Sequence, residues 1–166
     1  MPTQVVSLTA DEYPEVLPLI AAYQRFYEVE PDEARNEAFF RRFVPGFVPG
    51  FVPGTAPTDL PGVLLGARSG DSDDGAGPLV GYACLHWRLD TVAAKEVVCL
   101  HDLYAVAEVR GAGVGRALLE AAADLARARG AAALVWSTAP DNATAQRLYD
   151  ATGAARSTWL EYELSL

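Results

Sequence analysis

Arg110-Gly111-Ala112-Gly113-Val114-Gly115-Arg116 sets three glycines between two arginines, where a strand gives way to a helix. Glycine lets a backbone come close to a ligand, and a helix N-terminus offers unpaired N–H groups and partial positive charge. Two guanidinium groups add full charge. That combination is a cradle for a pyrophosphate. A Walker loop is excluded, because it ends in Gly-Lys-Ser/Thr and this segment ends in Arg116-Ala117. The dinucleotide fingerprint is a poor fit, since the third glycine comes one residue early, at Gly115. The alternative is a helix that begins with glycines for packing alone. Upstream on the same strand stands a titratable pair, His101-Asp102. Neighbours on a strand face opposite sides of a sheet, so one of the two is expected to meet a ligand.

These residues need elements to position them. Val97-Val98-Cys99-Leu100 is apolar on both faces, which predicts a strand inside the sheet, from Glu96 to Val106. A helix from about Gly113 to Arg129, stopped by Gly130, turns Val114, Leu118, Ala121, Ala122 and Leu125 inward. A strand from Leu134 to Thr138, a short helix capped by Asp141 or Asn142, and a last strand from Arg156 to Leu164 complete this half.

The first half reads as a strand at Val5 to Leu8, then a helix opened by Thr9 or Asp11 and running towards Tyr27. Pro18 predicts a kink or two shorter pieces. A second helix starts at Pro31-Asp32-Glu33 and carries Phe39, Phe40 and Phe43. Strands at Val63 to Arg68 and Leu79 to Leu89 flank an exposed turn. A hairpin centred between Thr91 and Val92 sets Cys84 opposite Cys99, with free buried thiols expected rather than a disulfide. Phe43-Val44-Pro45-Gly46 recurs at 47–50 and 51–54, which makes a loop of about 43–62. It is either a tolerated duplication or an apolar flap over a pocket. Strands mixed with helices in this way predict an α/β or α+β layer fold, one domain over residues 1–166.

At 51% hydrophobic and 21% charged residues, the 166-residue chain is not a disordered one. No apolar run nears the roughly 20 residues that span a membrane, and the start lacks a secretory signal pattern, so a cytoplasmic protein is expected. The net charge of −9 argues against nucleic acid. Residues 1–100 hold 14 acids and 7 bases, a balance of −7, whereas 101–166 hold 8 and 6, a balance of −2. An anionic ligand therefore belongs to the second part, and a cationic partner suits the first. The two cysteines and two histidines show no zinc spacing, so no metal is expected.

Arg110-Gly111-Ala112-Gly113-Val114-Gly115 resembles the [Gln/Arg]-x-x-Gly-x-[Gly/Ala] loop of the GNAT superfamily of acyl-CoA-dependent N-acetyltransferases. Asn142-Ala143-Thr144-Ala145-Gln146-Arg147-Leu148-Tyr149, trailed by Gly153-Ala154, resembles the family's Asn-x-x-Ala-x-x-Leu-Tyr helix. Two motifs in the right order are more specific than either alone. His101 to Tyr104 and Ser157 to Tyr162 look most like the branch with diamine and polyamine acetyltransferases.

The resemblance implies a mostly antiparallel sheet flanked by helices, and transfer of an acetyl group from acetyl-CoA to an amine by direct attack. It implies that Leu103, Tyr104, Ala105 and Val106 pair with the pantetheine arm, and that the N–H of Leu103 or Tyr104 polarises the thioester. It assigns the pyrophosphate to Arg110 through Arg116, including Ala112 and Val114. Tyr149 becomes the acid for the departing thiolate, with a core tyrosine as the alternative, and Asn142 a pantetheine contact or a plain cap. His101 is the base and Asp102 a holder of cationic substrate, or both are polar strand-end residues. Glu161 and Glu163 share a face of the last strand and attract a cation or are merely solvated. A small cationic amine is the expected acceptor, with Trp87, Tyr104 and Trp159 as cation–π partners, and a homodimer is expected by analogy. The rivals are a non-catalytic acyl-CoA-binding module, or an acetyltransferase for protein N-termini or aminoglycosides.

Overall fold

The computed structural model describes residues 3–46, 60–70 and 77–166. The second and third copies of the repeat, and the middle of the turn after Ser69, lie outside the described residues. One five-stranded sheet runs in the order β1 (Thr3–Ser7), β2 (Gly62–Ser69), β3 (Leu79–Asp90), β4 (Lys95–Ala105) and β5 (Leu134–Val135). Only the β4–β5 pairing is parallel. Among the described residues four α-helices flank it: α1 (Tyr13–Phe26), α2 (Glu33–Phe40), α3 (Val114–Ala128) and α4 (Ala143–Asp150). This is the expected α/β layer fold with a mostly antiparallel sheet.

The alternation of the strands splits the core in two. Val63, Leu65, Ala83, Leu85, Val98 and Leu100 meet Val114, Leu118 and Ala122 of α3 on one face. Leu64, Leu79, Tyr82 and Cys84 meet Val16, Leu19 and Ile20 of α1 on the other, with Phe43 and Val44 beside them. Leu118 is fully buried, and its truncation to alanine is worth about 2–5 kcal/mol. Arg68 on β2 bonds Glu15 at 2.9 Å and Glu12 at 3.1 Å, which ties the start of α1 to the sheet. Gln24 and Asn36 exchange amide bonds of 2.8 and 2.7 Å, and the Tyr13 hydroxyl donates to the Glu37 carbonyl at 2.7 Å. Those bonds fix α2 against α1.

Several expectations are corrected. Pro18 neither breaks nor splits α1, which runs unbroken from Tyr13 to Phe26. The missing N–H lies on the solvent side, while Val16, Leu19 and Ile20 hold the other side to the sheet. The β3–β4 hairpin pairs Asp90 with Lys95, so Cys99 faces His86 and Cys84 faces Asp102; both thiols are free. The expected last strand is absent. Residues 154–166 form no regular element, and their apolar side chains are exposed. The segment has strand propensity, but β5 is two residues long, and its edge is too short to hold a ladder along 156–164. Glu161 and Glu163 therefore share no strand face.

Candidate functional site

β4 carries a bulge at the point where chemistry is expected. Cys84 pairs with Asp102 and Leu85 with Leu100, so His101 is an extra residue on β4. The bulge resets the alternation. Asp102 joins Tyr82 and Cys84 on the α1 side instead of opposing them, and His101 is freed from the ladder. The expectation that the pair divides between two faces is thereby overturned. His101 Nδ1 lies 3.1 Å from Asp102 Oδ1, and the Tyr82 hydroxyl approaches Asp102 Oδ2 at 3.5 Å. The bond to Asp102 pushes the His101 imidazole above its ordinary value, against its partial burial, and Glu161 adds to the rise.

Beyond the bulge, β4 has an open edge. Val106 N–H bonds Val80 on β3, so by antiparallel alternation Leu103 and Ala105 point their backbone groups away from β3. On that side β5 pairs only with Val98 and Cys99. The two parallel strands part there, and a cavity of about 540 Å³ fills the gap. Leu103, Tyr104 and Ala105 line one wall, and Asn142 and Tyr149 of α4 line the other. Arg110, Gly111, Gly113, Val114, Gly115 and Arg116 close one end, and His101, Tyr23 and Tyr27 lie at the cavity too. Of the residues expected here, Val106 and Ala112 are not in the wall: Val106 N–H serves β3 and Ala112 N–H serves Val109.

The glycine segment is shaped for an anion. Gly111 and Gly113 hold φ of +82° and +92°, where side chains are strained, and no atom lies within 4 Å of where a Cβ would sit. The space over them is open to a ligand. Gly113 caps α3 without a side-chain bond, so the N–H groups of Val114, Gly115 and Arg116 have no intrahelical acceptor. A Cβ on Gly115 would lie 3.3 Å from Leu148, so this glycine lets α3 and α4 approach. The arrangement fits a pyrophosphate.

Asn142 caps α4 by accepting from Ala145 N–H at 3.1 Å while its side chain lines the cavity. Tyr149 stacks edge-on against Trp136 at 5.5 Å, and burial, with Tyr27 nearby, raises its phenol above the ordinary value. Trp87 belongs elsewhere, under the Arg129 guanidinium at 4.1 Å, and Trp159 is on the exposed tail.

A second cavity, of about 380 Å³, opens between α1, α2 and the sheet. Asp102, His86 and Cys84 line it from the sheet, and Phe39, Phe40 and Phe43 from α2 and the turn that follows it. Tyr23, Tyr27 and His101 line both cavities. Tyr23 and Tyr27 are site residues that neither motif indicates, although their spacing of four along one helix face is a usable signal. Burial drives the Cys84 thiol well above its ordinary value, and Cys99 is also raised. Among the described residues no three His, Cys, Asp or Glu side chains gather as metal ligands would, and no helix is long and apolar enough to cross a membrane.

The chain is 28% identical over 143 residues to the uncharacterized N-acetyltransferase YhfO of Bacillus subtilis (strain 168), covering 86% of this chain and 83% of that one. A crystal structure of a probable acetyltransferase superposes with a TM-score of 0.78 at 23% identity, over 98% of this chain and 97% of the other. An aminoglycoside acetyltransferase, meta-AAC0020, from an uncultured soil metagenomic sample does so with 0.74 at 14% identity, over 99% and 96%. Those two likenesses are of fold. The profile of the acetyltransferase (GNAT) family matches residues 19–154. With most of its length in that match, the chain belongs to the GNAT family of N-acetyltransferases, enzymes that use acetyl-CoA as co-substrate.

Proposed function

We propose that this enzyme acetylates a small cationic primary amine by direct attack in a ternary complex. The observation that carries the reading is the meeting of two cavities at His101, one with an anion cradle and one with a buried acid. Bound acetyl-CoA supplies the acetyl thioester that the amine attacks. The loop from Arg110 to Arg116 holds the pyrophosphate, and the open edge of β4 pairs with the pantetheine arm. Of the two N–H groups considered for the thioester carbonyl, Leu103 is the one that alternation turns towards the cavity.

A carboxylate has no proton to give, so in the neutral His101 ring Nδ1–H donates to Asp102 and Nε2 is left to take the proton of the amine. Tyr149 keeps its proton at neutral pH because burial disfavours the phenolate, and it gives that proton to the departing thiolate. Neither thiol is poised as a nucleophile, which supports transfer without an acetyl-enzyme. The acidity of the chain favours a cationic acceptor in the cytosol. A homodimer is the partner of this reading: Trp159, Leu160, Tyr162 and Leu164 are exposed on a tail of strand-like sequence, and among the described residues β5 has one neighbour. Light scattering on the purified protein tests that point.

The activity is tested by CoA release from acetyl-CoA over a panel of diamines, polyamines, arylalkylamines, aminoglycosides and N-terminal peptides. Tyr149→Phe is expected to bind acetyl-CoA normally and to lose about 10²–10⁴-fold in turnover. Unchanged turnover assigns Tyr149 to packing alone.

A further inference from the structure

Resting on the reading above, we infer that the acceptor carries a single ammonium on a compact aromatic or branched apolar body, and that the second cavity is its pocket. At about 380 Å³ the cavity lies within the roughly 300–1,000 Å³ of small-molecule sites. Its two ends differ in chemistry. At the sheet end Asp102 is the one carboxylate in the described wall. His86 beside it is depressed by burial and by His101, so it stays neutral at neutral pH. One negative charge holds one ammonium, next to the imidazole that takes its proton.

Among the described residues the helix end offers no second acid in its wall. Ile20, Val29, Phe39, Phe40 and Phe43 form it. The three phenyl rings lie with centroids 5.2 to 6.3 Å apart and present their edges and faces to an apolar guest. The polar side chain of Gln24 is committed in both directions to Asn36. The Arg42 guanidinium sits 4.5 Å over the Phe39 ring, so one face of this ring already holds a cation. A second ammonium would meet that positive charge and, among the described residues of the wall, no carboxylate. Polyamines would strand a charge here, and aminoglycosides would strand hydroxyls and amines. Val29 and Phe39 are half-exposed at the rim, apolar surface that an apolar body would cover.

The test compares kcat/KM for 2-phenylethylamine, spermidine, kanamycin and an alanyl peptide. 2-Phenylethylamine is expected to lead by about tenfold or more, and Phe39→Ala to raise its KM about tenfold while the KM for acetyl-CoA holds. Preference for spermidine or kanamycin, or a Phe39→Ala variant with unchanged KM, overturns the inference. Calorimetry of 2-phenylethylamine against the CoA-bound protein separates this from the catalytic reading. Binding that Phe39→Ala weakens supports the pocket even where no CoA is released, a result that counts against the transfer reaction alone. No binding overturns the pocket, whatever the turnover of other amines.

Discussion

The two cavities are built of different material. The larger one sets aromatic side chains such as Trp136 and Tyr149 against features of backbone: an open strand edge, a left-handed glycine pair and the first turn of α3. The smaller one is side chains brought from α1, α2, β3 and β4, with three phenylalanines at its far end. A backbone site takes what every member of a family shares, because any sequence with glycines and a helix start can form it. A side-chain site takes what distinguishes one member, because a rim ring such as the half-exposed Phe39 can be exchanged without disturbing the sheet. His101 lines both cavities and Asp102 the smaller one, and the bulge in β4 is what brings the two side chains together where the cavities meet.

That contrast breaks most sharply at His101. His101→Gln is expected to lower kcat about 10²–10⁴-fold while acetyl-CoA affinity stays, measured by steady-state rates and calorimetry. An unchanged kcat moves the base elsewhere and removes the junction between the cavities. Gly113→Val should act on the larger cavity only. Its positive φ strains any side chain, and the new methyl groups occupy the open space over the loop. The Kd for acetyl-CoA is expected to rise about tenfold or more by calorimetry, while the strain at positive φ lowers the melting temperature by a few degrees and leaves the protein folded.

Asp102→Asn sharpens the comparison through pH. The carboxylate raises the imidazole, which must be neutral to act, so the rate climbs with pH through a value above that of ordinary histidine. Loss of the carboxylate lowers that value, and the rising limb of kcat/KM is expected to move to lower pH. A limb that stays in place separates His101 from the profile.

Arg68→Met lies apart from both cavities. It leaves Glu12 and Glu15 without their partner and is expected to cost about 1–3 kcal/mol in denaturant unfolding, held down by the exposure of the two acids. Glu15 is lowered by its bond from Arg68. Glu12 is lowered by Thr9 and Arg68 in spite of the opposing effect of burial. Their contribution is therefore present above the ordinary carboxylate range and is lost as pH falls through the lowered values; the variant should lack that acid-labile part.

The same contrast accounts for what the chain disclosed. The glycine segment, the caps of α2 and α4 and the inward face of α3 are local patterns, and each stands where spacing put it. The bulge is not local. It arises because β3 and β4 count one residue differently between Leu100 and Asp102, and no period in either strand announces it. The aromatic wall is likewise a product of packing: Tyr23 and Tyr82 meet with ring centroids 6.1 Å apart, across 59 residues of sequence. The β-branched and aromatic residues of 156–164 read as a strand, but such propensity states only how residues would fit a sheet if they had a neighbouring strand.

The central claim is that amine and thioester meet directly between the two cavities. Initial rates with acetyl-CoA and the preferred amine varied together test it most directly. Intersecting double-reciprocal lines, with no acetyl group on the protein by intact mass after acetyl-CoA alone, are the predicted result. Parallel lines with an acetylated cysteine would contradict it.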